Sequence, residues 1–455
     1  MNVREINRYL AAGDIEREDI LPHLSEYQQR SLPLPFEFGL RELPEQPGIL
    51  SIRGPRQYGK STWLELQIED TIKGFGPGSV FYLNGDELLN HEELFREIAT
   101  LTESFAKNAK VHRIFIDEIT SIKDWELALK RAADQRIIKD VLIVTTGSKA
   151  LDLRRGHERL PGRKGKLSKT EYFFLPCSFR AYYANVYREL GSRDAWKYYL
   201  LSGGSPLACN EMYHTERLPD FVPQIIRDWI LGEVVATGRN RMMLTSILRC
   251  LYRYGGNSVG FAKLARESGL ANNTVASGYM EQLADLMCVL PSWPMDTSRD
   301  VIDMKKPCKF PFVNLSVAIA FHPNAPRQIH ELKAMSDKEQ SILLEWLVAQ
   351  ELWRRRVLKG VENPEALVFW RSKHHELDFI DENENFVEVK AGQASATEFA
   401  WFPKVFPGKR LTVICSTPFE TKSVVGMTIH QFLFRDPYFK AYVTEEPEEY
   451  EVDRI

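Results

Sequence analysis

Two sets of residues in this 455-residue chain have types and spacing suited to chemistry on phosphates. The first is GPRQYGKS, residues 54–61, whose glycines and lysine follow G-x-x-x-x-G-K-[ST]. In such a loop Gly54, Pro55, Arg56, Gln57, Tyr58 and Gly59 wrap backbone N–H groups around phosphate oxygens. Lys60 reaches the β and γ oxygens, Ser61 offers a hydroxyl to Mg²⁺, and Thr62 follows on the helix. The second is ELDFIDENENFVEVKAG, residues 376–392, where Asp378, Glu388 and Lys390 punctuate two apolar-alternating runs around an acidic turn.

The flanks of the first set suit the phosphate reading, with an apolar strand ILSI before it and a helical STWLELQIED after it. Downstream, HRIFIDEI puts Asp117 and Glu118 at a strand end. There Asp117 would hold the Mg²⁺ shell and Glu118 would orient or deprotonate an attacking water. Adjacent acids at a strand end also serve as a helix cap, and the loop upstream is what favours catalysis. VLIV then runs into TTGSK, where the hydroxyl of Thr146 or Ser148 would meet the water or the γ-phosphate, or simply close a turn. LPGRKGK carries Arg163 in a glycine-flanked loop. It suits an arginine finger for a neighbouring subunit or, with Lys164 and Lys166, a contact to nucleic-acid phosphates.

In the second set, a loop at residues 381–385 pairs Ile380 with Phe386 and sets Asp378 across from Glu388. Opposed residues share a face with Cβ atoms roughly 4.5–5.5 Å apart, so both carboxylates would grip one divalent ion. Lys390 falls on the same face, while Leu377, Phe379, Val387 and Val389 point to the apolar side. Facing like charges destabilise a hairpin unless a cation compensates. Mg²⁺ or Mn²⁺ would do so, and so would Lys390, which leaves a solvated, charge-laced strand face as the alternative. His374 and His375 just upstream read as exposed loop residues. WRRRVLK (residues 353–359) and FPGKR (406–410) read as phosphate contacts or solvated faces.

The elements that must position these groups are visible as hydrophobic patterns. ILSI, VFYL, RIFI and VLIV alternate with helical stretches between residues 48 and 183, which argues for a parallel sheet covered on both faces. Residues 185–240 are mostly helical in pattern. FAKLARESGL followed by ANNTVASGYMEQLADL reads as a helix-turn-helix, with a turn at Gly269, a cap at Asn272 or Asn273, and a wing from MCVLPSW. Its second helix carries no Lys or Arg from residue 271 to 286, so a spacer or protein-contact role stands at least level with DNA contact by Asn272, Asn273, Thr274 and Ser277, with Lys263 and Arg266 on phosphates. A long helix, DKEQSILLEWLVAQELWRRR, then precedes the strands ALVFW, ELDFI, FVEVK and LTVIC.

Composition sets the outer limits. A 44% hydrophobic and 27% charged chain buries real cores, and a formal net charge of -3 leaves any nucleic-acid contact to local basic patches such as that between Lys149 and Lys169. The six cysteines have no paired CxxC spacing for zinc, and they fit reduced thiols. The sequence shows neither a signal-peptide core nor an apolar run of about 18 residues, so a cytoplasmic protein without membrane contact is expected.

RGPRQYGKST, FIDEITSIKDW, TGSKAL, LPGR followed by PCSF, LSGGSP, and the terminal LDFI with EVKAG together resemble a family. It is that of prokaryotic AAA-type ATPases with a C-terminal domain long catalogued as of unknown function, and the likeness covers most of residues 45–395. The resemblance implies ATP binding and hydrolysis, a middle winged-helix segment and a nuclease-like C-terminal fold. Asp378 with Glu388-x-Lys390 is similar to the PD-(D/E)xK nuclease core. On that pattern Asp378 and Glu388 would bind metal and Lys390 would position or activate the water. Glu345, on the helix SILLEWLVAQEL, matches the acid that many such nucleases carry on the preceding helix; Leu377 stands where the pattern has proline.

The expected fold is α/β in three parts. These are an N-terminal P-loop AAA-type domain (residues 1–184), a helical and winged-helix domain (185–300) and a C-terminal restriction-endonuclease-like domain (301–455). ATP and Mg²⁺ are the expected cofactors, with Mn²⁺ an alternative at the nuclease-like site, and DNA and further copies of the chain are the expected partners. The expected function is ATP hydrolysis coupled to metal-dependent DNA cleavage, in defence against phage or mobile DNA. The alternative is an ATP-dependent switch or scaffold that binds a partner without cutting.

Overall fold

The computed structural model describes residues 1–147, 149–190, 194–361 and 364–438. The chain divides into two compact units, Met1–Leu175 and Pro176–Ile455.

The first unit opens with α1 (Val3–Ala12) and α2 (Pro22–Gln28) and continues through β1 (Gly48–Arg53), α3 (Lys60–Phe75), β2 (Val80–Asn84), α4 (His91–Ser104), β3 (Arg113–Asp117), α5 (Trp125–Asp134), β4 (Leu142–Gly147), α6 (Ala150–Glu158) and β5 (Glu171–Phe173). The strands form one sheet in the order β2-β3-β4-β1-β5, every neighbouring pair parallel. β1, β3 and β4 are buried throughout, as strands covered on both faces must be, which is why they read as unbroken apolar runs. On one face Ile49, Ile114, Ile116 and Ile143 pack with Leu94, Ile98 and Leu129 of α4 and α5. Asn90 starts α4 by accepting the Glu92 and Glu93 amides at 3.1 and 3.0 Å, and those two acids favour the helix N-terminus.

The N-terminal segment is fitted to this sheet by polar clamps and rings. Asn7 of α1 donates to Tyr82 O and accepts from Tyr82 N, both at 2.8 Å, along the outer strand β2. Glu65 of α3 accepts the Leu24 amide of α2 at 2.8 Å; burial is the main reason its carboxyl is pushed up to about 8. Phe38 packs edge-on against Trp63, and Phe36 lies against Phe174.

The second unit begins with α7 (Phe179–Leu190), α8 (Ala195–Ser202), α9 (Pro206–Thr215), α10 (Phe221–Ala236) and α11 (Arg241–Arg253). α12 (Phe261–Glu267) then turns at Gly269, φ 71°, into α13 (Asn273–Asp285), where Asn272 accepts the Val275 amide at 2.9 Å. β6 (Ser292–Asp296) starts inside MCVLPSW and is returned by β7 (Val301–Ile302). After α14 (Leu315–Phe321) and α15 (Ile329–Lys333) comes the long α16 (Asp337–Lys359), begun by a Ser336–Glu339 capping box and ended by Gly360 in a left-handed conformation.

The remaining elements are β8 (Leu367–Arg371), β9 (Glu376–Leu377), β10 (Phe379–Ile380), β11 (Phe386–Val389), α17 (Phe402–Val405), β12 (Leu411–Ile414), β13 (Phe419–Glu420), β14 (Val424–Met427) and α18 (Ile429–Phe434). They form sheets ordered β7-β6-β8-β9 and β10-β11-β12-β14-β13. β6 pairs in parallel with β8, tying the segment that follows α12 and α13 into the sheet work after it. Trp370, Phe386, Phe402, Leu411 and Val413 form a shared core.

Candidate functional site

The parallel order places the ends of β1, β4 and β3 side by side, with Arg53 opposite Gly147 and Asn84 opposite Asp117. The loop of residues 54–61 leaves β1 at this edge. Gly59 has φ 91° and Gln57 φ 63°, left-handed conformations that let the chain fold back before α3. Close packing also demands glycine here: a Cβ on Gly54 would fall 2.4 Å from Phe174 Cβ, and one on Gly59 would fall 2.8 Å from Phe36 Cε1. Lys60 is buried, and its ammonium donates to the carbonyls of Gly54 at 3.0 Å and Pro55 at 2.8 Å, inside its own loop. No side chain caps α3, so its first-turn amides face the loop. This cradle fits a nucleotide phosphate, with Ser61 and Asp117 as the groups that would hold its Mg²⁺.

Beside it, the Thr146 hydroxyl on β4 donates to Asp117 Oδ1, and the Glu118 amide donates to the same oxygen at 3.1 Å. Glu118 takes a left-handed conformation, φ 46°. That turn is sheltered by Gly85, where a Cβ would lie 2.2 Å from Glu118 O. Ser148 lies outside the described residues. Arg163 is next to the other end of β1, where Gly165 bridges Gly48, so the length of the strand, about 16 Å, separates it from its own loop of residues 54–61. It forks onto Asp134 at 2.7 and 3.2 Å.

In the second unit Ile380 lies opposite Phe386 and Phe379 opposite Val387, the register required by a loop at residues 381–385. Asp378 is a bend between β9, which pairs with β8, and β10, which pairs with β11. It therefore stands where the chain passes from one sheet to the other. Its Oδ2 accepts the Val389 amide at 2.9 Å and its Oδ1 accepts from Lys309 Nζ at 2.8 Å. Lys309, only 2% exposed, also sits 2.8 Å from Glu376 Oε1 and 3.6 Å from Glu345 Oε1. Glu388 pairs with Lys390 at 2.6 Å, and its Oε2 is buried without a hydrogen-bond partner.

Burial, and then the neighbouring Asp378 carboxylate, push Glu345 up to about 7 and Glu388 up to about 8, against the pull of Lys309 and Lys390. Burial alone would lower Lys309, but Asp378, Glu345 and Glu376 outweigh it and hold its pKa well above the usual lysine value. As placed, these carboxylates do not fit a divalent ion. Their oxygens converge on an ammonium, and among the described residues no group of three or more His, Cys, Asp or Glu is disposed to hold a metal.

Sequence reasoning missed Lys309 and Glu376. The available signal was a single lysine between Cys308 and Phe310 in the run PCKFPF, apolar on both sides. The reading of residues 353–359 as a basic surface is corrected. Trp353, Arg354 and Arg355 are buried, and the two arginines are held by Glu351 at 3.2 and 2.8 Å, with Asp436 a further partner of Arg354 at 2.6 Å. A charged triplet on a long helix reads as solvated until a second element brings it counter-ions. His374 is exposed, whereas His375 is half-buried and stacks on Trp401 with ring centroids 3.9 Å apart.

Residues 46–183 match the family model described as an AAA domain. Among solved structures, a Walker-type ATPase of Pyrococcus abyssi is 13% identical with a TM-score of 0.41, covering 68% of this chain and 96% of that one. A Thermotoga maritima RuvB variant is 16% identical with a TM-score of 0.29, covering 57% and 85%. Cdc6p from Pyrobaculum aerophilum is 12% identical with a TM-score of 0.27, covering 68% and 95%. No curated protein matches the chain, and no described helix is long and apolar enough to cross a membrane. The N-terminal region is an AAA domain, a P-loop ATPase fold that binds nucleotide, usually with Mg²⁺.

Proposed function

We propose that this chain couples ATP hydrolysis in its N-terminal unit to a DNA-cleaving C-terminal part of nuclease-like build. The observation that carries the second half is the gathering of Glu345, Asp378 and Glu388 with Lys390, supplied by a helix, a strand bend and the next strand. The order α16, β8, β9–β10, β11, α17, β12 supports a restriction-endonuclease-like domain, and α12, α13 with the β6–β7 hairpin supports a winged helix before it. In hydrolysis, Lys60 would bind the β and γ oxygens, Glu118 would orient the water, and Thr146 would hold Asp117 in place. Arg163, remote from its own loop of residues 54–61, would act on a neighbouring subunit's nucleotide in a homo-oligomer. DNA cutting under nucleotide control would suit defence against phage or mobile DNA.

A second reading, an ATP-dependent switch whose C-terminal part holds a partner without cutting, is favoured by Lys309 filling the acid cluster. One experiment separates the two: plasmid or phage DNA incubated with Mg²⁺ or Mn²⁺, with and without ATP. Cleavage that disappears in Asp378→Ala and Glu388→Ala supports the first. Intact DNA under every condition, with those variants indistinguishable from wild type, leaves the switch, in which Lys60→Ala alters assembly or partner binding and Asp378→Ala is silent.

A further inference from the structure

We infer that Lys309 is the resident cation of a divalent-cation site, and that Glu345, Glu376 and Asp378 accept a divalent ion only when its ammonium is withdrawn. The inference rests on reading these acids as a nuclease-like site, and it concerns occupancy rather than cutting.

Three carboxylates from separate places in the fold, α16, β9 and the bend at Asp378, direct oxygens at one ammonium. With Glu388, four acids face three cations, Lys309, Lys390 and Arg371, the last 3.4 Å from Glu376 Oε2, and one carboxylate oxygen of Glu388 remains buried and unbonded. Three acids gathered on the one ammonium of Lys309 are more oxygen donors than a single salt bridge needs, and hard oxygen donors suit a divalent ion. To reach the 2.0–2.1 Å typical of Mg²⁺, the Glu376 and Asp378 oxygens, 2.8 Å from the nitrogen, would close by about 0.7 Å and the Glu345 oxygen, at 3.6 Å, by about 1.5 Å.

Both cations cannot share this centre, because like charges at contact distance repel strongly beside an ammonium that is only 2% exposed. The cavity bordering Lys309 and Glu345, also lined by Gly255 and Gly256, has a volume of about 10 Å³, room for one water, so the ammonium has little space to step aside in place. A larger withdrawal moves the strap that carries the lysine. Its backbone exchanges hydrogen bonds with Ser292 at 2.8 and 2.9 Å, and its Cys308 carbonyl accepts from Val259 at 2.8 Å. Ser292 opens β6 and Val259 lies just before α12, so the strap is tied to the helix-turn-helix region, and a displacement of that region would reach the acid cluster through Lys309.

The test is Mn²⁺ binding to the full chain without nucleotide, followed by the electron paramagnetic resonance of free Mn²⁺, with DNA cleavage assayed in parallel. Lys309→Met should bind one additional Mn²⁺ at least about tenfold more tightly than wild type. That gain should vanish when Asp378→Asn is added. A Lys309→Met chain that folds only when millimolar Mn²⁺ is supplied also supports the inference, since the ion then replaces the missing ammonium. Binding no tighter than wild type, a gain that survives Asp378→Asn, or a variant still unfolded with Mn²⁺ present overturns it. Gained Mn²⁺ binding without DNA cleavage upholds the role of Lys309 and removes the cutting reading instead.

Discussion

Thr146 reaches across the β4–β3 ladder to Asp117, donating its hydroxyl proton to Oδ1, the oxygen that also accepts the Glu118 amide. The carboxylate is thereby fixed through Oδ1 at the end of β3. Thr146→Val removes one of these two donors and should lower the ATPase rate by about tenfold. Lys60→Ala and Glu118→Gln should each lower it by a hundredfold or more, on the order of 3 kcal/mol in the barrier. Phosphate release measured at saturating ATP checks all three. Nucleotide binding should persist in Glu118→Gln and fail in Lys60→Ala.

Gly85→Ala tests the turn that carries Glu118. The added methyl would meet Glu118 O at 2.2 Å, and a backbone carbonyl cannot rotate away as a side chain can. We expect a loss of about 1–3 kcal/mol in denaturant unfolding. The folded fraction should have a much weaker ATPase than its stability alone would explain. Normal turnover in Gly85→Ala would show that the position of Glu118 is not critical.

His157 gives the N-terminal unit a pH-dependent stability. Its Nδ1 pairs with Ser51 at 2.9 Å and its Nε2 with Thr170 at 3.0 Å, while burial, helped by Lys164 and Arg53, lowers its pKa from 6.5 to about 3. Between those values the unfolded chain binds a proton that the folded chain refuses. Stability from this group is complete above pH 6.5 and declines as the pH falls, by up to about 1.4 kcal/mol per unit. Denaturant midpoints of wild type and His157→Gln should therefore converge from pH 7 to pH 5. Parallel curves would contradict the assignment.

Arg163→Ala should depress ATPase activity only at concentrations that support assembly. Mixing it with Lys60→Ala should restore part of the rate. In a mixed assembly, subunits with a working loop receive the arginine of subunits whose loop is dead. No recovery on mixing, or an unchanged rate in Arg163→Ala alone, would assign this residue to its Asp134 ion pair.

The nucleotide edge was legible because its signal is local. A loop that needs two glycines and a lysine at fixed spacing, after a fully buried strand, leaves its geometry in adjacent letters. The hairpin register at Ile380 and Phe386 was legible for the same reason, since the loop length fixes it. The bend at Asp378 was not, because β9 and β10 belong to different sheets and only the partner strands reveal the break. Lys309 was further out of reach. It lies 36 residues before Glu345 and 69 before Asp378 in the chain, and nothing in PCKFPF says that a lysine between two prolines will be buried. Arg354 and Arg355 failed in the same way: a helix periodicity reports which face is apolar, and it is silent about arginines whose counter-ions come from the same helix and from Asp436.

The clamp between Asn7 and Tyr82 bears on how this protein tolerates trimming. β2 is the last strand on its side of the sheet, and the Asn7 amide satisfies both backbone groups of Tyr82, as a sixth strand would. Proteolytic loss of the first helix would leave every phosphate-binding residue in place. It would also bare a hydrogen-bonding margin that invites another molecule to add a strand. Such a fragment would fail by precipitating, long before it failed by losing its grip on nucleotide.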